Sequence, residues 1–274
     1  MIAASNGPAQ ERVRMPAVAG QFYSDDPVEL RRDIQEYLSH GKKLDSSPKM
    51  LISPHAGYVF SGPVAGFGYA ALDKNIKTVI LLGPPHHVPV RGLAAPGADW
   101  FQTPPGRVAV DTARVNKLLA ERLAYEDPAA HAPEHSIEVQ VPFLQVALGS
   151  FKIVPLLVHD IDPQNAADAI FPLIDERTVV IASSDLSHYH TSAEAKAIDR
   201  RTIGAILAGD IQGDLDACGE MPIRVVMALA KRMGLSPVLL DARNSFETAP
   251  QYGSEGRVVG YASIAYIKKP AGKK

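Results

Sequence analysis

Cysteine is almost absent from this sequence. The 274-residue chain carries one, Cys218, so no internal disulfide can form and the fold must be held by its core. Long apolar runs are missing too: no segment could span a bilayer, and the opening MIAASNGPAQER has no apolar stretch of signal-peptide length. A cytoplasmic location, with no membrane partner, is the expectation. Charge of one sign is also lacking. The net charge is −2, and no basic stripe carries interleaved aromatics, so nucleic acid is not expected as a partner. Neither a G-x-G-x-x-G nor a G-x-x-x-x-G-K-[ST] motif occurs, which argues against dinucleotide and P-loop chemistry. Around Ser183-Ser184 there is no G-x-S-x-G elbow, which weakens a serine-nucleophile reading.

What is present suits a soluble globular domain, 46% hydrophobic and 21% charged. A chain of this length buries about 75% of the surface its unfolded form exposes. No linker, repeat or low-complexity insert interrupts it, so one domain is expected over 12–268, with flexible tails at 1–11 and 269–274. Thr78–Leu82 reads as a strand buried on both faces, stopped by Gly83-Pro84-Pro85 and followed at once by His86 and His87. Lys49–Pro54 and Thr178–Ala182 end similarly, the first in His55, the second in the polar run Ser183–His190. Lys152–Val158, Val108–Val110, Pro237–Ala242 and Arg257–Tyr266 read as further strands.

Helices are expected after the Ser24–Asp26 cap, where Leu30, Ile34 and Leu38 form an apolar stripe, and from Ser61-Gly62-Pro63. Others are expected after Asp111-Thr112 and over Pro163–Ile174, Ala193–Ala208 and Pro222–Met233. A helix starting near His135, with Pro142 kinking it or one turn in, would put His135 and Glu138 on one face. Pro89–Pro105 reads as turn-rich, anchored by Trp100 and Phe101. The segment from Lys49 to Leu82 is strand–helix–strand, which predicts a parallel pair delivering His55 and His86 to one sheet edge. Ligands bind at such carboxyl edges in open α/β sheets.

His55, His86, His87, His135 and His188 each stand at a strand end or helix start, whereas His131 and His159 read as surface or satisfied core residues. Two histidines plus a thiolate or carboxylate would make a three-ligand site with open positions, the arrangement of catalytic zinc or non-haem iron. Cys218 has two readings: a small buried hydrophobe, or a thiolate whose pKa is lowered by the helix start that follows it. Asp185 and His188, three apart, could serve as ligand, ligand orienter or general acid/base, or Asp185 could simply cap a turn.

Five motifs occur together in order: Met15–Tyr23 (MPAVAGQFY), Ser53–Tyr58 (SPHAGY) with Ser61-Gly62, Leu82–His87 (LGPPHH), Glu134–Glu138 (EHSIE) and Ser183–His188 (SSDLSH). In these, from about Met15 to Tyr266, the chain resembles the Memo family, whose bacterial and archaeal members are called AmmeMemoRadiSam system protein B. That family is similar to class III extradiol dioxygenases. The resemblance implies a single α/β domain, a central largely parallel or mixed sheet with helices on both faces. It implies metal ligands at His55, His86 and Cys218, with Asp185 and His188 in the same pocket, His135 and Glu138 lining it, and His87 as a neighbour.

Where the dioxygenases use a carboxylate as third ligand, Cys218 stands here, and a thiolate suits Fe(II), Cu or Zn. The expected function is that of a mononuclear, non-haem iron (or copper) dependent oxidoreductase, with Asp185, His188 and His135 as catalytic groups and a small-molecule substrate. A zinc-dependent hydrolase of an amide or ester is the first alternative, and a non-catalytic peptide-binding scaffold the second. The family also implies association with radical-SAM and AMMECR1-type proteins.

Overall fold

A computed structural model describes residues 11–268. The tails expected at either end fall outside these residues, except Glu11, whose carboxylate pairs with Arg107 at 3.3 Å. The first half runs β1 (Val13–Arg14), α1 (Pro27–Ser39), β2 (Met50–Ser53), α2 (Tyr58–Ala70), β3 (Thr78–Gly83), β4 (Gly92–Ala95), β5 (Trp100–Thr103), β6 (Gly106–Val110), α3 (Thr112–Ala120), β7 (Tyr125–Glu126), α4 (Pro128–His131) and α5 (Gln140–Ala147). The second half runs β8 (Lys152–His159), α6 (Pro163–Ile170), β9 (Thr178–Ser183), β10 (His188–His190), α7 (Ser192–Ala208), α8 (Glu220–Met233), β11 (Leu235–Asn244), α9 (Ser245–Thr248) and β12 (Val258–Lys268).

One mixed sheet organises these elements in the order β1-β5-β6-β8-β3-β9-β2-β12-β10, with β11 also pairing β12. Its centre, β6-β8-β3-β9-β2, is parallel. β3 and β9 are buried along their whole length, as continuous apolar strands covered on both faces must be. Helices α1, α2 and α5 pack together on one face, and α6 and α8 pack on the other. The chain is therefore a single α/β domain with a mixed central sheet. Among the described residues, no helix is long and apolar enough to cross a membrane.

Local chemistry sets the boundaries. α1 starts where expected: the Asp26 carboxylate accepts from the N–H groups of Val28 and Glu29, with Pro27 in the first turn. Four expectations need correction. α2 begins at Tyr58 rather than at Ser61, so Pro63 lies inside it. The missing Pro63 N–H would have met the carbonyl of Val59, a residue 40% exposed, so that carbonyl is not sealed in the core. α5 starts at Gln140, with a turn over 136–139, so Pro142 sits in the first helical turn, where its absent N–H costs nothing. Pro89–Pro105 holds β4 and β5, because Leu93, Ala94, Ala95 and Phe101 have core to reach. Finally, β2 and β3 are parallel but not adjacent: β9 inserts between them.

Candidate metal centre

Sheet register levels three strand ends. Ile52 of β2 and Leu82 of β3 both lie beside Ala182 of β9. The chain then turns off each strand, through Ser53-Pro54 to His55, through Gly83-Pro84-Pro85 to His86, and through Ser183-Ser184 to Asp185. The fourth contribution comes from far along the chain. Cys218 is held against Asp185 by backbone: Cys218 N donates to Asp185 O at 3.3 Å, and Asp185 N donates to Cys218 Sγ at 3.3 Å. Gly219 makes this approach possible. A Cβ there would fall 2.4 Å from the carbonyl oxygen of Ser183, so only glycine lets the segment lie flush on the end of β9.

One ligand atom from each of His55, His86 and Cys218 lies within 4.8 Å of the others. His55 Nε2 is 3.2 Å from Cys218 Sγ. Bond lengths of about 2.0 and 2.3 Å at a tetrahedral centre put nitrogen and sulfur about 3.5 Å apart, so the pair is spaced to share an ion. A second group, His86, Glu134 and His135, is equally compact. However, Glu134 Oε1 already accepts from His86 Nδ1 at 2.9 Å and Ser136 N at 2.8 Å, and Oε2 accepts from His86 N. Glu134 is thus the carboxylate that orients His86. With Nδ1–H given to Glu134, the lone pair of His86 is on Nε2, free to bind a metal.

Electrostatics sort the remaining groups. Burial, followed by the charges of His135 and His86, drives His55 well below the ordinary imidazole range, so the ring is neutral and a competent ligand. Burial opposes ionisation of Glu134, but hydrogen bonds from the His86 ring, His86 N and Ser136 N outweigh it and keep the carboxylate charged. His135 is pushed down to about 4, chiefly by burial, and stacks on His86 at 4.6 Å between ring centroids. Asp185 is pushed up to about 6 by burial, although its carboxylate accepts the N–H of His55 at 2.7 Å. The thiol of Cys218 is pushed up to about 12 by burial and by the charge of Asp185. This corrects the expected low-pKa thiolate, since those two effects exceed any help from the start of α8.

The other candidates divide. His188 and Cys218 line one cleft of about 500 Å³ with Arg201, Thr202, Asp214 and Asp216. Tyr189, at φ 65° and with its ring under the Arg257 guanidinium, turns outward beside His188. His87 is exposed, edge-on to His135 at 6.0 Å. Glu138 is not at the centre, contrary to expectation. Its carboxylate points away into the core, accepting from Arg14 Nη1, Tyr23 Oη, Ala17 N at 2.7 Å and Val18 N at 3.1 Å. It pins residues 14–23 as a strap, which sets the ring of Phe22 4.9 Å from His135 and lets Phe22 O accept the first N–H of α2. His131 is buried, its Nε2 2.9 Å from Ala94 O, a satisfied core histidine.

Comparison with known proteins fits this arrangement. The family model described as Memo-like protein matches residues 14–265. The chain belongs to the Memo family. A MEMO1 family protein of Sulfolobus acidocaldarius is 37% identical, with 93% of this chain and 99% of the relative covered. A second, from Methanopyrus kandleri, is 36% identical over 92% of this chain and 98% of its own length. For this Memo-family chain, sequence reading overlooked Glu134 as the orienter of His86, although a carboxylate directly before His135 was a usable sign. Nothing in the sequence announced that Arg14 would be the buried partner of Glu138.

One pH effect follows from the centre. A metal binding at Cys218 must displace the thiol proton, because a thiol pushed up to about 12 is protonated near neutrality. Affinity for Zn²⁺ is therefore expected to strengthen about tenfold per pH unit between about pH 7.5 and 9. Chelator competition across that window measures it, and a flat profile would contradict ligation by the thiolate.

Proposed function

We propose that the protein is a mononuclear metal-dependent oxidoreductase, using iron, or copper in its place, on a small-molecule substrate with O₂ or a related oxidant. The observation that carries this reading is the meeting of two imidazoles, that of His55 kept neutral by burial, and one thiol within 4.8 Å, with no carboxylate ligand among them. A redox metal bound there would supply one-electron chemistry toward the oxidant, and the thiolate would favour its softer states. The chain's own groups supply proton handling. Asp185, with its carboxyl pushed up to about 6, can hold or release a proton near neutral pH. His135, kept neutral by burial, and His188, on the cleft beside Cys218, are placed to accept one. The strap keeps Phe22 against the His135 edge.

Protein purified without air is expected to carry about one equivalent of iron, and to consume O₂ in a manner lost in His86→Ala. Iron content unchanged in His55→Ala, His86→Ala and Cys218→Ser would overturn the reading.

The same donor set supports a second reading, since two histidines and a cysteine with an open position also describe a catalytic zinc site. In that case zinc held by His55, His86 and Cys218 would supply an activated water for hydrolysis of an amide or ester, and His188 would move protons. Zinc at one equivalent with no O₂ consumption selects it. Association with radical-SAM and AMMECR1-type proteins, and a cytoplasmic location, belong to this proposal as well.

A further inference from the structure

His86 is oriented by a carboxylate, but His55 is not. The Nδ1 of His55 lies 2.9 Å from Ser183 Oγ, and a hydroxyl both donates and accepts, so that contact alone leaves the tautomer open. The surrounding bonds close it. Gln140 Nε2 lies 3.0 Å from Pro54 O, a carbonyl that only accepts, and this fixes which end of the amide faces that way. The same Nε2 then gives its other hydrogen to Ser183 Oγ at 2.6 Å. Gln140 Oε1, facing the other way, accepts from Tyr69 Oη, consistent with that orientation. Ser183 Oγ spends its one proton on Ser136 O at 2.6 Å, again a pure acceptor. With that proton committed, Ser183 Oγ can only accept from His55.

We infer that Gln140 and Ser183 lock His55 as the Nδ1–H tautomer, with the Nε2 lone pair aimed at the metal position before any metal arrives. They are positioning residues, and they act without charge. Ser183 Oγ ends with one donated and two accepted bonds, its full capacity. The two ligand histidines are therefore tuned differently. Carboxylate-bonded His86 is the more basic donor, and hydroxyl-bonded His55 the less basic. Ser183, Gln140 and Ser136 are all fully buried, so water offers no substitute partner for Nδ1.

Nitrogen-15 NMR of the metal-free wild-type protein tests the lock directly. The expected result is a pyrrole-type Nδ1 and a pyridine-type Nε2 for His55, and an Nε2-protonated ring would overturn the inference. Ser183→Ala is expected to mix the two tautomers and weaken Zn²⁺ binding about 10–100-fold, with Ser183→Thr restoring both. Unchanged tautomer and affinity in Ser183→Ala would also overturn it. This inference rests on the proposed metal site but not on its reaction. A locked tautomer with no O₂ uptake would count against the oxidoreductase alone, whereas O₂ uptake with an unlocked ring would count against the lock alone.

Discussion

Glu138→Ala is expected to cost about 3–5 kcal/mol of folding stability. The carboxylate is fully buried and the Arg14 side chain is 5% exposed. Removing Glu138 leaves that guanidinium without its counter-charge, although the carbonyls of His131 and Glu134 still accept from it. It also strips the N–H groups of Ala17 and Val18, and the Tyr23 hydroxyl, of their acceptor. Four groups lose one partner together, and two of them, on Arg14 and Tyr23, are buried. Urea unfolding of wild type and variant measures the loss, and a difference below about 1 kcal/mol would show that the strap is held by its apolar contacts instead. Because the strap carries Phe22, His135 should become more solvent-accessible in the variant, which hydrogen exchange at residues 17–23 and 135–138 would register.

Loss of a proposed metal ligand is the second large effect. His86→Ala and Cys218→Ala are each expected to weaken metal binding by more than about a hundredfold, beyond the 10–100-fold that follows loss of an orienting partner. Glu134→Gln should fall within that smaller range, since an amide can still accept from Nδ1 but carries no charge. Thermal melts with added Zn²⁺ give an independent reading. Free metal at a hundred times Kd adds about 2.7 kcal/mol to the wild type, and the ligand variants should gain almost none at the same concentration. Equal stabilisation in all of them would place the metal elsewhere.

The strands that build the centre were legible because their physics is local. β3 and β9 are apolar runs closed by Gly, Pro or Ser, and that pattern has few other outcomes in an α/β chain. Their order in the sheet was not legible. Adjacency of β2 and β3 was the simplest reading of strand–helix–strand, and only long-range packing puts β9 between them. Helical spacing misled at Glu138: with 136–139 in a turn, its side chain and that of His135 diverge, one into the core and one onto the ring of His86. The supporting partners were the least legible. Glu134, Ser183 and Gln140 act through hydrogen bonds between residues tens of positions apart, and no spacing rule encodes those. For Cys218, the helix start was visible but the degree of burial was not, and burial sets its proton affinity.

The place of β9 between β2 and β3 has a consequence for biosynthesis. A chain made only as far as His86 holds both histidines yet lacks the strand that spaces them, and Cys218 lies about 130 residues further on. At about 5–20 residues per second, the ribosome needs roughly 7–26 seconds to supply it. During that interval the two imidazoles lack both the strand and the thiol that complete the proposed site. Selection of the proposed ion is thereby left to the closed sheet, where a thiol buried beside the neutral ring of His55 completes the donor set.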